Sequence, residues 1–143
     1  METNYIKNII WDECNKANHF IQIPGIYRHF KQEKDGEDMI YAVSNVSIPV
    51  TGEELIKIAK ENMDAPRYCY AFNHTELEKL IIINRIGDKY YHFTNDDTNV
   101  LVIYTALYAD RKTYVRPLPM FVSKTDKKKY PNAKQEFRLE RVK

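Results

Sequence analysis

The chain has 143 residues and a mass of 17.0 kDa, which suits one domain spanning residues 1–143. Its 43% hydrophobic content, with only 4 Gly and 6 Pro, excludes a largely disordered, collagen-like or low-complexity protein. The net charge of +2 is too small to draw the whole molecule onto nucleic acid or a membrane, although the last 33 residues hold 11 Lys or Arg against 3 Asp or Glu. This basic end predicts either a docking edge or a soluble tail that closes against an acidic body.

Two helices are predicted from apolar residues at helical spacing. The first covers residues 4–17 and is amphipathic. The second begins at Thr51 and ends near Met63, before Pro66. Thr51 and Glu54 have the form of a capping box, in which each side chain binds the backbone amide of the other residue.

Alternating apolar residues predict roughly seven short strands, most of them antiparallel. Gly87 and Asp88 predict a hairpin turn, and the polar residues 33–38 predict another. Residues 100–108 are apolar on both faces, which is typical of a central strand, whereas the lysine-rich loop 124–134 is expected to be mobile. The predicted strands cover residues 26–31, 39–48, 67–73, 78–86, 89–93, 100–108 and 113–116, with a final edge segment at 137–141. The fold class is therefore α+β, with a small β-sheet and two helices.

The residue types that usually carry catalysis are not arranged for it here. Four separated histidines lack metal-ligand spacing, and the sequence has no phosphate-binding or dinucleotide-binding glycine pattern. We therefore expect no enzyme activity, no metal and no cofactor. One alternative is a nucleophile and base formed by Cys69 and His74. The two distant cysteines and an N-terminus without a basic start and an apolar stretch predict a reduced, cytoplasmic protein with no membrane partner.

Four short motifs follow one another along the chain: GIYRHFK at 25–31, HFTNDD at 92–97, VIYTALY at 102–108 and YVRPLPMF at 114–121. In order and spacing they resemble the motifs G-x-Y-R-H-[YF]-K, H-x-E-T-x-E, V-x-Y-x-A-L-Y and W-V-R-P-L-x-M-F. These belong to the small bacterial and phage family called domain of unknown function 1653 (DUF1653). The acids of the second motif are displaced in this chain.

The resemblance implies a compact β-rich domain with an SH3-like barrel as its core. Residues 24–48 and 92–142 would form that core, and residues 1–23 would be an added N-terminal helical extension. Residues 49–91, with a capped helix and a hairpin, would be an insertion. The aromatic residues of the insertion predict either a contact surface for a ligand, a partner or a second subunit, or the packing of a small sheet.

Two arginines are expected to be half-buried because apolar residues flank them on their strands. Arg28 and Arg116 would each need an acceptor, either an internal carboxylate or carbonyl or the phosphate of a ligand. In the second interpretation, a tyrosine stacks on a base while the arginines and a histidine bind phosphate. The candidate ligand-binding residues are Tyr27, Arg28, His29, Tyr104, Tyr108 and Arg116.

These residues favour a non-enzymatic binding protein for a small anionic, nucleotide-like ligand. By analogy with oligomeric phage sponge proteins, we expect a homo-oligomer in the bacterial host cytoplasm that sequesters a host immune nucleotide signal. The alternative is a macromolecular interaction module, in which the basic C-terminal third binds nucleic acid or an acidic protein surface.

Overall fold

A computed structural model describes residues 3–94 and 99–143, and the side chains from residue 7 onwards within them. The predicted motif at 92–97 lies partly outside the described residues. The helices are α1 (Thr3–Ala17), α2 (Gly52–Glu61) and α3 (Leu118–Phe121). The strands are β1 (Gly25–Lys34), β2 (Glu37–Val50), β3 (Arg67–His74), β4 (Lys79–Ile86), β5 (Lys89–Phe93), β6 (Leu101–Ala106), β7 (Thr113–Pro117) and β8 (Leu139–Arg141).

Six of these strands close into a barrel. The pairing runs β5-β4-β3-β7-β6-β2, and β2 then pairs with β5 to complete the ring. The β2–β5 and β3–β7 pairs are parallel, and the other pairs are antiparallel. Strands β1 and β8 extend the sheet from β2 as a two-stranded flap outside the ring.

Strand β6 is buried on both faces, as its continuous apolar sequence predicts. Leu101 and Ile103 face the barrel interior, where they pack with Ile83 of β4. Val102 and Tyr104 face the opposite way, into a second core covered by α1 and α3. The described residues therefore form one core inside the barrel, one between the barrel wall and helices α1 and α3, and a third cluster that includes Ile58 of α2.

A wide irregularity interrupts β1 where it pairs with β2. Arg28 lies opposite Ile40 and Glu33 lies opposite Asp38, so four residues of β1 stand against one residue of β2. Residues 29–32 therefore leave the regular ladder, and Gln32 takes a left-handed backbone conformation with a φ of 66°. The bulge sets these residues apart from β2 and frees their amides for other partners.

The α+β class with a small barrel is confirmed, and so is the capping box of Thr51 and Glu54 at the start of α2. The sequence analysis did not predict α3, a single turn that follows Pro117. Residues 49–91 hold α2, the β3–β4 hairpin and the beginning of β5, and β3 and β4 are two of the six barrel strands. The division into a family-like core and an insertion stays a prediction. In the described part of the chain, no helix is long and apolar enough to span a membrane.

Candidate anion-binding site

Residues 123–138, called here the basic loop, fold back across the bulge of β1. The amide of Phe30 donates to the carbonyl of Arg138 at 2.8 Å, and the buried Gln135 side chain donates to the carbonyl of Arg28 at 3.0 Å. The rings of Phe30 and Tyr130 pack with their centroids 4.8 Å apart. The basic loop is therefore anchored to β1 through Tyr130, Gln135 and Arg138, of which Tyr130 lies in the lysine-rich loop 124–134 that was expected to be mobile.

A cavity of about 330 Å³, called here the basic cavity, lies between the bulge, β7 and the basic loop. Four cationic side chains line it and only one carboxylate does. None of Lys31, Lys129 and Arg138 has a carboxylate within 4 Å among the described residues. The lining residues are His29, Phe30, Lys31, Arg116, Asp126, Lys129, Tyr130 and Arg138. An excess of positive charge therefore faces an open space.

The single carboxylate in the lining is already engaged by the loop that carries it. One carboxylate oxygen of Asp126 accepts the amides of Lys128 and Lys129 at 3.0 and 3.2 Å. This arrangement fixes the turn of the basic loop. It leaves most of the positive charge of the cavity without an internal counter-ion.

His29 is neutral in this cavity. Burial is the main cause that lowers its pKa to about 3, and the charges of Arg116, Lys31 and Arg138 lower it further. The Lys31 amide donates to His29 Nδ1 at 3.1 Å, so the proton of the neutral ring sits on Nε2. His29 therefore offers an N–H donor and no charge.

Arg116 is the more enclosed of the two arginines in the predicted site. Its side chain is only 14% exposed, and its Nε donates to the Thr75 hydroxyl at 3.2 Å. Glu76 lies 4.0 Å from the same nitrogen, and the guanidinium carbon lies 5.9 Å from the centre of the Tyr104 ring. These contacts hold the guanidinium through Nε, which leaves its two terminal nitrogens as donors.

Buried tyrosines lie behind His29 and Arg116. Tyr104 packs edge-on against Tyr41 at 5.1 Å, and the Tyr41 and Tyr108 hydroxyls are 2.6 Å apart. Burial raises the pKa of Tyr104 to about 12 and that of Tyr41 higher still. Tyr104 and Tyr108 are thus buried supports of the site, with little surface left for a base to stack on.

The other two predicted site residues lie apart from the basic cavity. Tyr27 is fully buried, and its hydroxyl exchanges hydrogen bonds with the backbone of Gln22 at 2.7 and 2.9 Å. Arg28 points away from His29 along the strand and reaches Asp38 at 3.8 Å. Of the six predicted residues, only His29 and Arg116 line the basic cavity.

The sequence analysis missed most of the cavity lining: Phe30, Lys31, Asp126, Lys129, Tyr130 and Arg138. The excess of Lys and Arg in the last 33 residues was the available signal, and four of these residues lie there, Lys129 and Arg138 among them. The excess of basic residues did not predict that the basic loop folds back across β1. That return depends on backbone hydrogen bonds between distant residues, which leave no periodicity in the sequence.

The alternative nucleophile and base are not a pair. Cys69 and His74 lie on the same strand five residues apart, which separates them by roughly 16 Å and places them on opposite faces. Cys69 Sγ donates to Asn84 at 3.4 Å, and His74 Nδ1 accepts the amides of Glu76 and Leu77. In the described part of the chain, no three His, Cys, Asp or Glu side chains meet in a way that could hold a metal ion.

The fold and the site together define a small β-rich domain with a basic cavity at its sheet flap. The model of the family described as "Protein of unknown function (DUF1653)" matches residues 88–141, which confirms the resemblance over that segment. The matched segment contains β6, β7, β8 and the basic loop, and so includes Arg116, whereas His29 lies outside it. No curated protein and no solved structure matches the chain.

Proposed function

We propose that this protein is a non-enzymatic binding protein for a small anionic, nucleotide-like ligand held in the basic cavity. The observation that supports this most is the convergence of Lys31, Arg116 and Arg138, from three separate parts of the chain, on one cavity. Like charges that line one cavity repel one another, and that repulsion costs free energy. An anion that enters the cavity would remove much of that cost.

The donors of the cavity suit a phosphate group better than a simple carboxylate. Arg116 can present its terminal nitrogens as a fork, and His29 adds a neutral N–H donor. The lysine and Arg138 side chains add point charges around them. A group with several oxygens in different directions can use all of these donors at once.

We propose further that the bound ligand is held without chemical change, in the cytoplasm. His29 is the side chain of the cavity that would be considered first as a general base, but a pKa near 3 makes it a poor proton acceptor at neutral pH. Binding without turnover is what the sequestration of a nucleotide signal requires. A sponge of this kind is therefore the biological role that we propose for the cavity.

The exposed lysines of the basic loop favour the alternative function, a module that binds nucleic acid or an acidic protein surface. Lys127 and Lys128 of the basic loop are exposed and do not line the basic cavity, so a nucleic acid backbone could reach them. Binding through such exposed charges weakens steeply with salt. Binding inside a cavity is screened less, because bulk ions do not lie between the partners.

The experiment is a thermal-shift screen followed by titration calorimetry at 50 and 300 mM NaCl. The probes are inorganic phosphate, the four nucleoside monophosphates, cyclic dinucleotides and short single-stranded oligonucleotides. A small nucleotide that raises the Tm at both salt concentrations, and that is recovered unchanged, supports the proposal. Binding of oligonucleotides alone, lost at 300 mM NaCl, supports the alternative instead. The absence of any small-anion binding overturns the proposal.

A further inference from the structure

A second and larger cavity adjoins the basic cavity. It has a volume of about 600 Å³ and lies between the end of the β1 bulge and residues 129–134 of the basic loop. The two cavities share Phe30, Lys31, Lys129 and Tyr130 as lining residues. The basic cavity and this larger cavity are therefore neighbouring halves of one surface region, and the basic cavity is the smaller half.

Tyr130 stands at the junction of the two halves. Its ring packs against Phe30, and the ammonium groups of Lys31 and Lys129 lie 5.6 and 5.5 Å from its centre. Both lysines are exposed, and their long stems allow the ammonium groups to move. The Tyr130 ring is thus half-buried, with Phe30 packed against it and two exposed, flexible lysine side chains beside it.

The outer part of the larger cavity is polar and uncharged on balance. Gln32 and Asn132 carry amide groups, and Glu33 and Lys134 add one negative and one positive charge. Amides and carboxylates on a rim of this kind are donors and acceptors for the edge of a heterocycle. The chemistry of this half therefore differs from that of the basic cavity, which is dominated by cations.

We propose that the larger cavity is a base-binding subsite, in which the ring of a nucleoside phosphate stacks on Tyr130 while its phosphate occupies the basic cavity. This inference rests on the proposed function and assigns the second half of the ligand. Stacking of a base on an aromatic side chain is stronger than the contact of an exposed ammonium with the same ring, so the base displaces the lysines. The released Lys31 and Lys129 then lie beside the phosphate, in the cavity that they already line.

The first test compares a nucleotide with inorganic phosphate on the wild-type protein and on two variants. Calorimetry with adenosine 5′-monophosphate and with inorganic phosphate gives the ratio of the two affinities. We expect the wild-type ratio to favour the nucleotide by about tenfold or more, and Tyr130→Leu to reduce that ratio by about tenfold. Tyr130→Phe keeps the ring and should keep the ratio.

A second variant tests the same subsite without removing the aromatic ring. Ala133→Phe fills the larger cavity from a residue that does not line the basic cavity. It should weaken nucleotide binding about tenfold and leave phosphate binding unchanged. Tyr68→Leu removes an exposed tyrosine on the distant strand β3 and serves as the matched control, with both affinities unchanged.

The two proposals fail in different ways. If neither probe binds the wild-type protein, the proposed function is wrong and the subsite falls with it. If phosphate binds but the nucleotide binds no more tightly, the basic cavity stands and the base-binding subsite is overturned. The subsite is also overturned if Tyr130→Leu and Ala133→Phe both leave the affinity ratio at its wild-type value.

Discussion

The two arginines that the sequence presents as equivalent lie in contrasting regions of the molecule. Arg116 is held inside the basic cavity, with a 14% exposed side chain, a hydroxyl partner and the Tyr104 ring beneath it. Arg28 lies on the other face of the sheet flap, where its side chain is 36% exposed and Asp38 is 60% exposed. Flanking apolar residues gave both arginines the same expected environment. The difference between them comes from what the rest of the chain places opposite each strand.

This difference separates the two arginines by their surroundings. Arg28 has a carboxylate partner, which is the internal acceptor that one interpretation requires. Arg116 has a hydroxyl and a more distant carboxylate on Nε, and it shares an open cavity with unpaired cations. Both arginines thus have an internal carboxylate, Asp38 at 3.8 Å and Glu76 at 4.0 Å. The proposed function takes Arg116 as the ligand-binding residue because, of the two, it is the one that lines the basic cavity.

The largest expected effect separates the two arginines by ligand binding. Arg116→Gln removes a charged donor from the cavity and should weaken phosphate or nucleotide binding by about 2 kcal/mol, or roughly thirtyfold. Calorimetry on the purified variants measures this loss. Arg28→Gln is the matched control and should bind as the wild type does. Equal losses in the two variants would contradict the assignment of Arg116 to the site.

Arg116→Lys sharpens the same comparison. It retains the charge but loses the planar fork and the Nε–H that donates to Thr75. We expect it to recover part, and not all, of the affinity lost in Arg116→Gln. Full recovery would mean that the cavity attracts the ligand through charge alone.

Local patterns in the sequence were sufficient for the elements and for part of the site. The apolar faces of β6 and the capping box of α2 depend on residues that are close together in the chain, so both could be predicted. Arg116 was identified because its neighbours are apolar, and His29 because it lies beside Arg28 on the same predicted strand. The tyrosines were expected to stack on a base, but they are buried. The face of the sheet that encloses Arg116 also buries Tyr104.

The remainder of the site depends on contacts between distant segments. The β1 bulge shifts the alternation after Arg28, and nothing in the pattern of residues 25–34 marks it. Lys31 and Tyr130 are about a hundred positions apart in the chain and meet only because the basic loop binds the bulge. Such pairings follow from the whole fold, and one sequence without that fold could not reveal them.

A smaller effect is expected on the pH dependence of stability, because the basic cavity lowers the pKa of His29. Its pKa is lowered from 6.5 to about 3, so between these values the unfolded chain binds more protons than the folded protein. Stability is therefore expected to be highest above pH 6.5 and to fall as the pH decreases towards 3. His29→Gln should make this fall shallower, as measured by urea unfolding at pH 7.0, 6.0 and 5.0.

A bound anion should change the same titration. Its negative charge opposes the repulsion from Arg116, Lys31 and Arg138, so the pKa of His29 should rise in the complex. An NMR titration of the His29 ring, with and without saturating phosphate, measures the shift. A pKa that stays the same or falls when phosphate is bound would place the anion elsewhere.

The smallest effect is expected at the other arginine. Arg28 and Asp38 form an ion pair at 3.8 Å between two side chains that are both in contact with solvent. Water screens such a pair and each side chain loses freedom on forming it, so its coupling energy should be about 0.5 kcal/mol or less. A double-mutant cycle with Arg28→Ala and Asp38→Ala, followed by urea unfolding, measures this coupling, which should decrease further in 1 M NaCl. A coupling above about 2 kcal/mol would show that the Arg28–Asp38 pair is held more firmly than its exposure predicts, and the contrast between the two regions would then rest on ligand binding alone.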